Sequence, residues 1–174
     1  LAVGSTMVKW QAGIEYFDQA YDQDAVNTFS AFVLDPQVGF PVAMHSPEAS
    51  IDSNGFGLFG RATITFNDKA DLTAGLRYDH EKADAHLNTF FSPAFLPANV
   101  VTADQTFDDV SPQFSFGYRV NPQQTAYLSA ARGYKAGGFN PAALPGREEY
   151  GEEHAWHLEG GWKATLAGGK VAAS

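Results

Sequence analysis

Four groupings in the sequence could in principle do chemistry. His154 and His157 stand between Glu153 and Glu159, a set of metal-ligand types; residues three apart on a strand point to opposite faces, so the two imidazoles do not converge on one ion. His80 and His86 flank the acidic stretch Asp79, Glu81, Asp84, which reads as a solvated rim. Glu148, Glu149, Glu152 and Glu153 cluster in the third long loop; general acid–base work needs two carboxylates held at fixed separation with split pKa values, which a mobile loop next to a turn does not provide, so they read as a solvated or cation-bridged rim. Gly55 to Gly60 spells G-x-G-x-x-G, but a dinucleotide site needs that motif to open a helix, and here it runs into an alternating strand. No Ser/His/Asp grouping has the setting of a nucleophile elbow. The expectation is therefore no catalytic residue, no metal site, no cofactor and no enzyme.

Those residues must be positioned by strands. Val8, Trp10, Ala12, Ile14 and Tyr16 alternate with Lys9, Gln11, Gly13 and Glu15, a period of two. The pattern returns at 56–66, 72–81, 110–120 and 154–163, with Ile64, Leu76, Phe116 and Leu158 on the apolar faces and Arg61, Arg77, Asp79, Glu81, Arg119, Glu159 and Lys163 on the polar ones. Segment 125–135 is ambiguous, because Arg132 and Lys135 fall on opposite faces. Short turns are expected at 67–70, 121–124 and 166–169. Between them lie long loops at roughly 22–54, 84–109 and 136–152, far longer than compact domains usually carry. Short turns on one side and long loops on the other, joined by strands of about 9–11 residues, describe an antiparallel up-and-down transmembrane β-barrel. Rings near strand ends (Phe66, Tyr78, Tyr118, Tyr127, Trp156, Trp162) suit the lipid–water boundary.

Composition agrees. Of 174 residues, 18% are charged and 14% aromatic, with 11 Lys+Arg against 20 Asp+Glu giving a net charge of −9. That acidity disfavours a nucleic-acid partner, and the ring content excludes disorder. There is no cysteine, hence neither disulfide nor thiolate site. The longest apolar run, Ala31 to Leu34, is too short for a spanning helix.

The letters also resemble a family. Residues Arg132, Gly133, Tyr134, Lys135, Gly137, Gly138, Phe139 and Asn140 look like the strand-to-loop motif of TonB-dependent outer-membrane receptors, and Glu153, Glu159, Gly161 and Lys163 look like the following strand. Phe59 to Thr63, the turn Asn67-Asp68-Lys69 and Leu72 to Tyr78 resemble an earlier hairpin; Ser111 to Tyr118 and Thr125 to Tyr127 resemble the next. The resemblance covers roughly 56–171 in order, with 1–55 fitting by pattern alone and with Arg61 and Glu152 departing from the family's commoner Gln and Pro.

That resemblance implies a plugged barrel of about 22 strands. This chain, residues 1–174, would supply six strands and, at Val171 to Ser174, the start of a seventh, with the plug domain and TonB box not recognisable in it. The implied function is energised uptake of a scarce solute, foremost a ferric siderophore, across the outer membrane of a Gram-negative bacterium. The implied partners are outer-membrane lipid, the plug of the same full-length chain, the TonB complex and the solute. The seven charged residues of the polar faces would line the lumen, and Tyr134 to Asn140 would form a hinge between strand and loop. Two other readings stay open: a passive porin-type channel and a soluble carbohydrate-binding β-sandwich.

Overall fold

The computed structural model describes residues 2–3, 6–30, 41–94, 96–166 and 171–173. Eight strands form one antiparallel sheet: β1 (Ala2–Val3), β2 (Thr6–Ser30), β3 (Pro41–Phe66), β4 (Ala70–Ser92), β5 (Asn99–Asn121), β6 (Gln124–Lys135), β9 (Glu153–Leu166) and β10 (Val171–Ala173). A second, two-stranded ribbon joins β7 (Gly138–Phe139) to β8 (Glu149–Tyr150). Every neighbour in the main sheet follows in chain order apart from that ribbon, which is the up-and-down topology expected, with six long strands and the start of a seventh.

The sheet is one layer thick through its middle. A single rung of cross-strand partners runs Trp10, Ala62, Ala74, Phe114, Ala130, Leu158 across all six long strands. Trp10 and Leu158 are each 75% exposed, and Leu76 and Phe116 also stand clear of any second layer. A two-sheet sandwich would bury this face; the reading as a soluble sandwich is overturned. Four residues toward the short-turn side, Phe66, Tyr118 and Trp162 share a rung, forming an aromatic row. Tyr127 does not join it. Its ring lies on the opposite face over Gly161, and its hydroxyl donates to Glu159 at 2.6 Å.

The short-turn end folds as its residues dictate. Asn67 and Asp68 both take positive φ (48° and 56°), and Lys69 N donates to Phe66 O at 2.9 Å, the backbone of a two-residue hairpin turn that Asn and Asp tolerate well. At the next turn Gln123 N donates to the Asn121 side chain at 2.9 Å. The expected turn at 166–169 falls mainly on 167–170, outside the described residues.

The opposite end departs from expectation. Most of the segments 22–54 and 84–109 are not loops. The β2–β3 ladder continues to Ser30↔Pro41 with a bulge near Gln23/Ala25, β3–β4 continues to Ala43↔Ser92 with an irregularity at His45/Ser50, and β4–β5 continues to Thr89↔Asn99. These four strands hold 23–26 residues, about 75–85 Å of chain at 3.3 Å per residue, against the 9–11 needed to span a bilayer. The physical reason is a reversal of polarity. On β4 the outward set is Leu72, Ala74, Leu76, Tyr78, then His80, Lys82, Asp84, His86; the inward set is Asp71, Thr73, Arg77, Asp79, Glu81, then Ala83, Ala85, Leu87. Below the crossover water is inside and the apolar surface faces out; above it the arrangement is that of an ordinary soluble sheet.

What covers the apolar inner face above the crossover is the segment 136–152. Phe139, 5% exposed, inserts among Ala49, Ala83, Ala85 and Leu87, with Ile51, Val101 and Ala103 around them. Pro141 O accepts from Ser46 Oγ at 3.1 Å and Thr89 Oγ1 at 3.4 Å. Gly137 is a close-approach position: a Cβ there would collide with the Phe107 ring and Tyr150 O. Truncating Phe139 to Ala should therefore release this segment, at about 3–5 kcal/mol of local packing. The expected readout in the full-length protein is faster tryptic cleavage after the exposed Arg147; an unchanged rate would contradict the packing role.

Candidate functional site

The inward face carries all seven charged candidates. Arg61, Arg77, Asp79, Glu81, Arg119, Glu159 and Lys163 lie in register on the side away from the apolar belt. Most are already paired. Arg77 binds Asp79 through Nε at 2.8 Å and Glu15 through Nη2 at 3.0 Å. Arg119 joins the Asp71 carboxylate and donates to Asp68 O at 3.1 Å. Lys163 sits 5.1 Å over the Tyr127 ring, a cation–π contact. Arg61 reaches only Gln11, at 3.4 Å.

Long side chains lie flat along this face, each filling the space above a glycine on the next strand: Phe59 over Gly13, Phe17 over Gly55, Arg77 over Gly57, Gln113 over Gly75 and Tyr127 over Gly161. Gly55 and Gly57 thus serve side-chain packing within a ladder, and no helix follows them.

The ambiguous segment 125–135 resolves where β5 and β6 part. Their pairing stops at Gln113↔Ala131, and Arg132 turns into the resulting gap. Its Nη1 donates to Asp109 Oδ1 at 2.6 Å and to Val110 O at 2.7 Å. Its Nη2 donates to His154 Nδ1 at 2.8 Å, which leaves His154 Nε2 as the protonated nitrogen facing Glu152 at 3.3 Å. His157 instead meets Glu159 at 3.6 Å, so the two histidines have separate partners. Tyr134 stacks on His154 at 5.6 Å, with its hydroxyl buried and unpartnered among the described residues. Lys135 and Glu153 form an exposed pair at 3.7 Å.

Asp109 and Asp79 are direct cross-strand partners, an unfavourable juxtaposition of like charge that two separate arginines relieve. Burial pushes the Asp109 carboxyl up, but the Ser111 hydroxyl and Arg132 outweigh it and hold its pKa below the ordinary value. Arg132→Met should leave a buried carboxylate under-satisfied and cost about 1–3 kcal/mol. A depressed folded pKa contributes stability that is fully present above the unfolded value near pH 4 and lost as pH falls through the folded value. Urea midpoints of wild type and variant should therefore differ at pH 7 and converge in acid; equal midpoints at pH 7 would refute the pairing.

The glutamate cluster is not a solvated rim throughout. Glu148 is buried, accepts from the Asn99 side chain, and its carbonyl accepts from Asn140 N at 2.7 Å; Glu149 accepts from Gln105 Nε2 at 3.0 Å. The bonds from Asn99 and Gln105 fasten segment 136–152 to β5, and the Asn140–Glu148 bond closes the segment on itself. Sequence reasoning missed this because the partners, Asn99 and Gln105, lay in a stretch read as loop.

Three cavities open on the inward face, one of about 340 Å³ at the short-turn end beside Arg119 and Asp71 and two further up. The one within the belt, about 350 Å³, is lined by Gln11, Arg61, Arg77, Gln113 and Arg132 among others. The other, about 490 Å³, lies above, between β2–β4 and segment 136–152.

With this geometry in view, the comparisons are consistent. The structure of the ferric yersiniabactin uptake receptor FyuA from Yersinia pestis superposes with a TM-score of 0.54 at 18% identity, covering 95% of this chain and 28% of that one. The chain thus spans under a third of that protein's length, and the likeness shows the fold. The family model "TonB dependent receptor-like, beta-barrel" matches residues 2–174, including the part before residue 56 where motifs gave only pattern. The family is one of outer-membrane receptors and transporters of Gram-negative bacteria, not of enzymes. A sheet one residue thick, apolar outside and charged within, is the wall such proteins close around a lumen, and this chain belongs to the TonB-dependent receptor β-barrel family.

Proposed function

We propose that the chain is part of the barrel wall of an outer-membrane receptor that takes up a scarce, bulky solute with energy supplied through TonB, a ferric siderophore being the foremost class. The observation that carries this reading is segment 136–152, packed over the inner face just beyond the lipid belt, where it walls a polar cavity rather than leaving an open pore mouth. In the closed barrel, Arg61, Arg77, Asp79, Glu81, Arg119, Glu159 and Lys163 line the lumen. The lower ones meet a plug domain carried by the same full-length protein. The motif residues Arg132 to Asn140, with Glu153, Glu159, Gly161 and Lys163, serve to set the strand-to-loop transition.

The test is uptake of iron-55 complexes by cells carrying the full-length gene, with and without TonB. Uptake that requires both supports the reading. Uptake that persists without TonB would instead identify a passive channel, and no gene-dependent uptake of any ferric siderophore would remove the proposed solute class.

A further inference from the structure

The upper cavity has a chemistry that narrows the solute. Gln19, Tyr21 and Gln23 come from β2, Ser53 from β3, Glu81 from β4, and Asn140 and Tyr150 from the overlying segment. Tyr21 donates to Gln23 Oε1 at 2.5 Å, and the Asn140 carbonyl oxygen accepts from Ala142 N at 3.0 Å. The side chains of Gln19, Ser53, Glu81 and Tyr150 have no hydrogen-bonding or ionic partner among the described residues. The site therefore offers one amide, one phenol, one hydroxyl and one carboxylate that are not engaged by the described wall, beside the paired Tyr21, Gln23 and Asn140.

No described lysine or arginine lines this cavity, although three arginines line the one below it. Arg77, the nearest cation on the inward face of the same strand, is committed to Asp79 and Glu15, and the adjacent Lys82 faces outward and pairs with Asp84. Glu81 sits one inward position above Asp79, between Gly55 on β3 and Phe107 on β5, neither of which can neutralise it. Burial and the neighbouring Asp79 both make charge at Glu81 unfavourable, so its pKa is raised. A bound cation would relieve both terms, and a bound polyanion would aggravate them.

We propose that this cavity is a subsite for a neutral or cationic solute rich in hydroxyl and amide groups, with Glu81 as the residue that selects positive charge and rejects polyanions. The proposal deepens the receptor reading and rests on it. Among iron carriers it favours hydroxamate-type complexes, which are neutral or carry a free ammonium, over trianionic tris-catecholates. A carboxylate facing an ammonium in a wet site attracts it modestly, so removing the charge should change affinity on the order of tenfold.

The experiment uses the full-length receptor in detergent and three probes: a ferric tris-hydroxamate with a free ammonium, a neutral cyclic ferric tris-hydroxamate, and a trianionic ferric tris-catecholate. Binding is read by quenching of tryptophan fluorescence. The wild type should bind the first two and discriminate against the third. Glu81→Gln should lower the cationic-to-neutral affinity ratio on the order of tenfold, and Glu81→Lys should lower it further. Because the readout is a ratio within one variant, partial misfolding cancels. Tightest binding of the tris-catecholate, or a ratio unchanged in both variants, overturns the assignment while leaving the receptor reading intact. Binding of none of the three overturns the assignment together with the proposed solute class.

Discussion

Arginine in place of Leu158 should destabilise the folded full-length barrel by about 2–4 kcal/mol in a bilayer, the cost of a cation on the lipid face near mid-depth. Leu158 ends the rung that begins at Trp10, roughly midway between the aromatic row of Phe66, Tyr118 and Trp162 and the polarity crossover beyond Tyr16 and Tyr78. It is 75% exposed. On a soluble protein an exposed leucine changed to arginine typically shifts stability by no more than about 0.5 kcal/mol, so the size of the effect reports the surrounding solvent. Urea unfolding from lipid vesicles measures it. A loss within about 0.5 kcal/mol would place Leu158 in water and remove the lipid belt. Arginine at His86, outward on β4 but above the crossover, is the internal control and should be near neutral.

The 174-residue chain by itself should fail to insert as a monomer. Within the belt the outer edges of β2 and β9 have no partner among the described residues, because β1 pairs only at Thr6–Met7 and β10 only at Ala164–Leu166. About five unpaired backbone groups on each edge, each costing several kcal/mol in hydrocarbon, amount to tens of kcal/mol. That exceeds the roughly 5–15 kcal/mol by which a typical domain is stable. Refolding the chain into vesicles should give no heat-modifiable, protease-protected monomer, only aggregates or species in which edges pair between copies. A protected monomer in the bilayer would contradict the edge argument.

The belt was legible in the sequence because lipid imposes one rule on every strand that crosses it. Trp10, Ile14, Leu58, Leu76, Phe116 and Leu158 could be placed outward by counting in twos, and all are partly or well exposed. The β-extensions were not legible by the same count, since the phase of the apolar set changes at the crossover: Ala83, Ala85 and Leu87 continue the alternation on the face that Arg77 and Asp79 had marked as polar. A search for period two without a fixed phase would have found them. Arg132 escaped for a different reason. Its direction is set by the parting of β5 from β6, a tertiary event with no local signature. Glu148 likewise owes its burial to Asn99, nearly fifty residues away.

The flat side chains seated over glycines have a mechanical consequence. With Phe17, Phe59, Arg77, Gln113 and Tyr127 lying along the sheet rather than standing on it, the inner surface of this stretch of wall stays close to the backbone at those positions. Valine at Gly161 or Gly57, by lifting Tyr127 or Arg77 off the sheet, would roughen the passage at one height while leaving the lipid-facing surface untouched.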